Sequence, residues 1–213
     1  IETAELQIKP MGAYVENNLY LTIGLSEPFT DNSKKLEIIL DFDLPANSLV
    51  TDSWLWINGV PKQAEILDRW TASNIYEEIV NRRKDPSLLV KNGDNQYCIN
   101  VYPMSPNETR KFKITYLTPI NWSKNQITCD YPSGILKSSN EPSNLTVYAY
   151  PNGTFGNPTL VNSGTVFKQL SDSEHGNCYE ATIPNSELGT AKITYTDSNS
   201  AAVKLYKYGT DDE

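Results

Sequence analysis

Runs of alternating apolar and polar residues constrain this chain more than any other feature. Leu36, Ile38, Leu40, Phe42 and Leu44 occupy every second position. Side chains of an extended strand alternate between its two faces, so these five share one face. The same period recurs at Tyr97, Ile99 and Val101, at Phe112, Ile114 and Tyr116, and at Leu145, Val147 and Ala149. It returns at Tyr179, Ala181 and Ile183 and at Ala191, Ile193 and Tyr195. Strands that are apolar on one face belong in half-buried antiparallel sheets. One segment departs from the pattern. Ala72, Ile75, Tyr76, Ile79 and Val80 repeat with the helical period and form one stripe. The predicted fold is mainly β, antiparallel and sandwich-like, with one amphipathic α-helix over about residues 70–84.

Local signals place the boundaries. Asp68 or Thr71 is suited to cap the helix start. Arg82, Arg83 and Lys84 load its last turn, where cations favour the helix dipole, and Asp85-Pro86 stops it. Pro45 ends the strand that begins at Leu36. Asn58-Gly59 predicts a tight hairpin, with Val60 to Leu67 returning antiparallel. Further along, Asn162-Ser163-Gly164 predicts a hairpin within Val161 to Leu170, and Val203, Leu205 and Tyr208 alternate approximately. Residues 1–120 read as one sandwich with its helix. Residues 121–213 read as additional strands packed on it or as a second small β-domain. The short apolar connection through Ile120 and Trp122 favours shared packing.

The order of elements from Leu36 to Ile120 resembles the VIT (vault protein, inter-alpha-trypsin) domain. A strand ends at Leu44-Pro45. A Trp-rich segment, Val50 to Gly59, follows, then the amphipathic helix. Asp85-Pro86-Ser87-Leu88-Leu89 comes next, then a strand, a polar turn over Pro103 to Glu108, and a strand ending at Tyr116. Ala72 and Tyr76 match an alanine and a tyrosine four residues apart on the family's helix. Trp54-Leu55-Trp56 and the run from Arg82 to Leu89 are most similar to bacterial members. The resemblance implies an accessory, non-catalytic module of a secreted or cell-envelope protein. It also implies partners among proteins or neighbouring domains of a parent chain, including a von Willebrand A-type domain. The metal-binding Asp-x-Ser-x-Ser motif of that domain is missing from this sequence.

Composition narrows the field further. The formal net charge is -8 and the pI about 4.8, and the one basic run is Arg82 to Lys84, which argues against nucleic acid. No stretch approaches the ~18 apolar residues of a membrane span. Ile1 is not a translation start, so the chain reads as a fragment of a longer protein, secreted, periplasmic or on the cell surface. Asn107, Asn121, Asn144 and Asn152 begin Asn-x-Ser/Thr sequons, but 21 Asn among 36 Ser plus Thr in 213 residues give three to four by chance. Cys129 lies on the apolar face with Ile127, while Cys98 and Cys178 lie opposite the apolar residues of their strands. Three free cysteines are the simpler reading; a Cys98–Cys178 bridge needs α-carbons within ~7 Å.

No catalytic set emerges. His175, the one histidine, sits in a polar turn from Ser171 to Asn177, poorly placed for a nucleophilic triad. One His and three dispersed Cys give no zinc spacing, and no calcium loop or phosphate-binding glycine loop is present. No cofactor is predicted. Asp41 and Asp43 read as a solvated strand face rather than a glycosidase pair. Trp54 and Trp56 project to one face of their strand and are the candidate interaction residues, either stacking a sugar or anchoring a partner. The favoured reading of the pair is core, packed against the helix, with Leu55 and Ile57 on the opposite buried face. The leading functional reading is a non-enzymatic scaffold or protein-interaction module. The alternative is a carbohydrate-binding β-sandwich module.

Overall fold

The computed structural model of the chain describes residues 1–25, 35–65, 67, 69–81, 86–105, 108–137, 143–199, 201 and 203–206. Fifteen strands and two α-helices are present among them. The N-terminal part holds β1 (Thr3–Met11), β2 (Tyr14–Ile23), β3 (Leu36–Asp43), β4 (Leu49–Ile57) and β5 (Val60–Gln63). Helix α1 (Arg69–Asn81) follows, then β6 (Ser87–Lys91), β7 (Gln96–Met104), β8 (Arg110–Pro119), β9 (Asn121–Ser123) and β10 (Gln126–Cys129). A short helix, α2 (Ser133–Lys137), precedes β11 (Leu145–Ala149), β12 (Phe155–Val161), β13 (Lys168–Asp172), β14 (Gly176–Ile183) and β15 (Lys192–Asp197).

The strands form three sheets. The largest has the order β13-β14-β11-β1-β2-β8-β4-β5. The others are β12-β15-β10-β9 and β3-β7-β6. Alternation decides which residues point inward. Leu6 and Ile8 of β1, Leu19 of β2, Ile114 and Tyr116 of β8 and Val147 of β11 are fully buried. They join one hydrophobic cluster with Ile99 and Val101 of the small sheet and Ile127 and Ile193 of the four-stranded sheet. A side-chain bond also crosses the core, from the Tyr195 hydroxyl to the Ile8 carbonyl at 3.1 Å.

Most pairings are antiparallel, as alternation predicts, but β1 pairs with β11 in parallel, with Leu6 opposite Val147. A parallel pair cannot be closed by a tight turn. Here more than a hundred residues separate the two strands. This pairing puts β11, β13 and β14 into the same sheet as β1 and β2.

The Asn58-Gly59 hairpin forms as predicted. Both residues have positive φ, 52° and 77°, the conformation that a two-residue hairpin requires, and Val60 faces Ile57. Helix α1 occupies Arg69–Asn81. Its predicted cap Asp68, the cationic run 82–84 and Asp85 lie outside the described residues. So does part of the polar turn 103–108.

Two expectations are corrected. Val161 and Leu170 do not share a hairpin, because β12 pairs with β15 and β13 pairs with β14. The turn at Asn162, with φ of 59°, carries the chain from one sheet to another. Residues 203–206 form no strand, and Val203 and Leu205 are 86% and 97% exposed. The polar and aromatic partners of that segment hold it instead. Lys204 ion-pairs with Asp197, and Tyr206 stacks on Trp122 with ring centres 6.1 Å apart and planes 3° from parallel.

Asp197 is a buried acid at the end of β15. Burial raises its carboxyl, but the Lys204 ammonium and the Asn199 amide outweigh this and hold it below the ordinary value. A carboxyl lowered on folding stabilises the fold above its unfolded pKa, and that contribution fades as pH falls through the folded pKa. Lys204→Met leaves the acid unpaired, and we expect it to cost about 3 kcal/mol near neutrality. Urea unfolding should show the difference between wild type and variant shrinking below pH of about 4. A difference independent of pH would contradict this coupling.

Candidate functional site

The apolar stripe of α1 leads to an open cavity at the end of the sandwich. Helix α1 follows β5, the edge of the eight-stranded sheet, and precedes β6, the edge of the three-stranded sheet. It therefore spans the place where the two layers end. Between helix and layers lies a cavity of about 580 Å³, walled by Leu55 and Ile57 of β4, Leu89 of β6, and Ala72, Ile75 and Ile79 of α1. Cavities of several hundred cubic ångströms with mainly apolar walls are typical binding sites.

The helix is anchored rather than fully packed. Of the predicted core-facing residues, Tyr76 alone is buried. Ala72 and Ile79 are half-buried, and Ile75 is 41% exposed. The Tyr76 hydroxyl donates to the Glu37 carboxylate on β3, which also accepts from the Asn100 side chain at 3.0 Å. Burial, and then that carboxylate, push the Tyr76 phenol well above its ordinary range. Near the helix start Trp70 is 80% exposed. Partly packed apolar side chains around an open groove are a feature of interaction surfaces.

Trp54 and Trp56 do not pack on this helix. They lie half-buried on the opposite, outer face of the large sheet, because Leu55 between them takes the core position at 3% exposure. The Trp54 indole donates to Asp52 at 2.5 Å. Asp52 also accepts from the Gln63 side chain at 3.1 Å and from the Ser53 amide at 2.9 Å. Lys113 lies over the Trp54 ring at 5.0 Å and Lys111 over the Trp56 ring at 5.1 Å. Sequence reasoning missed the lysines. Their signal was the polar half of the β8 alternation, where Lys111 and Lys113 interleave Phe112 and Ile114.

His175 sits in the turn between β13 and β14, yet its side chain is only 9% exposed. Its ring stacks on Tyr148 with centres 3.8 Å apart. Asp172 caps the turn by accepting from the His175 amide at 2.6 Å and the Glu174 amide at 3.0 Å. Among the described residues no nucleophile is hydrogen-bonded to the ring. Nor does any group of three or more His, Cys, Asp or Glu there have a metal-binding arrangement.

All three cysteines are free. Cys129 is buried as predicted. Cys178 is buried too, at 2%, against the expectation from alternation. The Tyr150 hydroxyl lies beside the Cys178 sulfur on the outer face at this end of the sheet. Cys98 is half-buried, and burial together with Asp41 and Glu37 raises its thiol to about 11.

A β-sandwich module with a helix-flanked groove is the class that this geometry defines. Residues 16–116, just under half of the chain, match the family model of the Vault protein inter-alpha-trypsin domain. VIT domains occur with other domains in multidomain proteins, as protein-interaction modules. No curated protein matches the chain.

Among solved structures, the chain is similar to a mutant two-domain M1 zinc metallopeptidase bound to L-tryptophan. The identity is 12%, the TM-score 0.51, and the match covers 92% of this chain and 42% of that one. An M1 zinc metallopeptidase from Deinococcus radiodurans gives 13% identity and a TM-score of 0.47, covering 92% and 42%. A candidate nutrient-binding protein from Legionella pneumophila gives 14% and 0.47, covering 91% and 64%. The chain thus spans less than half the length of the metallopeptidase chains. The first likeness defines a shared fold and nothing about activity. No helix among the described residues is long and apolar enough to cross a membrane.

The thiol environments generate a test. At pH 8 the native chain should react slowly with a thiol reagent, because a thiol with a pKa near 11 is scarcely ionised and the other two are buried. Unfolding should release three fast-reacting thiols. Fewer than three, or rapid reaction of the native chain, would contradict the assignment.

Proposed function

We propose that this chain is a non-enzymatic scaffold and protein-interaction module of a secreted or cell-envelope protein. Its partner is a protein segment that seats apolar side chains in the groove beside α1. A neighbouring domain of the parent chain is the first candidate. The observation that carries the reading is the apolar cavity left between α1 and the open end of the sandwich. The exposed flank of Ile75 and the exposed Trp70 extend it outward.

Strand addition at β5 is a weaker alternative. That edge carries Pro61, which lacks an amide hydrogen, and the charged Lys62, both of which blunt an edge strand. The groove offers burial instead. Removing apolar surface from water contributes roughly 25 cal/mol per Å². The match to the VIT family model supports a module that works through partners. The resemblance of Trp54-Leu55-Trp56 and of the run from Arg82 to Leu89 to bacterial members is the support for an envelope setting.

Photo-cross-linking from position 75 in the native envelope fraction tests the proposal. Position 39, exposed on β3, serves as control. We expect one defined adduct from position 75, to a domain of the parent chain or to a single partner, and none from position 39. Ile75→Glu should abolish the interaction while preserving the fold. Equal labelling from both positions would reject the groove. Ester or glycoside turnover that disappears when one carboxylate is neutralised would reject the non-enzymatic reading.

A further inference from the structure

The outer face of the large sheet carries a second surface, on the side of β4 opposite the Leu55 and Ile57 wall of the groove, with Asp52 and Gln63 at the border of the two. β2, β8 and β4 lie side by side there. Tyr20 is in register with Lys113, and Lys113 with Trp54. Lys111 lies 5.4 Å and Lys113 5.8 Å from the centre of the Tyr20 ring, so both ammonium groups border one ring. Trp56 completes the cluster, 6.1 Å from Tyr20 and tilted by 58°. We infer that Tyr20, Trp54, Trp56, Lys111 and Lys113 form a binding platform for an acidic polysaccharide, one whose sugar rings carry carboxylate or sulfate groups.

Three observations carry this. First, the charge is unspent. No carboxylate lies within ion-pairing distance of Lys111 or Lys113 among the described residues. The neighbouring acids are engaged elsewhere: Asp52 accepts from the Trp54 indole, Gln63 and the Ser53 amide, and Glu5, in register with Tyr20 on the same face, accepts from the Gln7 side chain at 2.9 Å. In a chain of net charge -8, two cations resting on aromatic rings without an acid partner complement an anion.

Second, the platform is held in place. The bond to Asp52 fixes the Trp54 indole, and the lysine ammoniums are placed by their contacts with the rings. Little order is then lost on binding.

Third, the platform offers rings and charges but no backbone. β8 pairs with β2 on one side and β4 on the other, so its amides and carbonyls are occupied. An extended acidic peptide would find no ladder to join. A sugar presents a flat C–H face for aromatic rings, and an acidic sugar adds the anion that the lysines complement.

Titration of the full chain with an oligogalacturonate at low ionic strength, read by calorimetry and tryptophan fluorescence, tests the proposal. A neutral galactan oligosaccharide and polyglutamate are the comparison probes. Binding of the oligogalacturonate is expected to weaken about tenfold or more in Lys111→Gln/Lys113→Gln and in Trp56→Ala, equivalent to about 1.4 kcal/mol. Added salt should weaken it as well, and neither comparison probe should match it. Ile75→Glu should leave it unchanged, separating this surface from the groove. Absence of oligogalacturonate binding, retention of full affinity by the double lysine variant, or equal affinity for polyglutamate would each overturn the proposal.

Discussion

The pairing of β1 with two neighbours holds the structure in one piece. β2 occupies one edge of β1 along its whole length, from Thr3 opposite Thr22 to Met11 opposite Tyr14. β11 occupies the other edge in parallel, from Ala4 to Ile8. A strand paired on both sides has its backbone donors and acceptors satisfied without water, and Leu6 and Ile8 are then driven fully into the core. Through β11 the sheet continues into β14 and β13. The Tyr195 hydroxyl reaches the Ile8 carbonyl from the four-stranded sheet, so the second layer is keyed to the same strand.

A layered sandwich closes well in its middle and poorly at its ends. At the end opposite β13 the large sheet stops at β5 and the three-stranded sheet at β6. Helix α1 bridges them, fixed by Tyr76 and Glu37, but it is too thin to fill the gap with Ala72, Ile75 and Ile79. The result is the apolar groove. The anchoring bond and the groove have one origin: a stripe of five apolar residues of which Tyr76 alone is buried. The outer face of the large sheet is finished differently. Its aromatic rings are bordered by lysine side chains and have no further layer over them, which leaves a polar, cationic platform.

Much of this was legible in the sequence. Alternation located most strands because the period of two is local and needs no knowledge of partners. Asn58-Gly59 gave a hairpin because both residues tolerate positive φ. The 3.6-residue stripe gave the helix. What stayed hidden is non-local. Nothing in Ala4 to Ile8 or Leu145 to Ala149 announces that they will pair in parallel, since alternation is the same for either direction. For the same reason β12 and β13 looked like a hairpin, although their partners are β15 and β14. Trp54 and Trp56 were ambiguous because Leu55 and Ile57 are apolar as well. A strand apolar on both faces does not reveal which face meets the core. Cys178 was misplaced because burial on an outer face depends on side chains from neighbouring strands, here Tyr150.

The fold couples a strongly paired sheet to a lightly packed helix at its open end. Native-state hydrogen exchange measures both together. Amides of β1 and β11 should exchange with one common free energy, close to that of global unfolding. Amides of α1 should exchange orders of magnitude faster and slow down when the groove is occupied. Exchange of β11 well before β1, or an α1 as protected as β1 in the isolated chain, would contradict this arrangement.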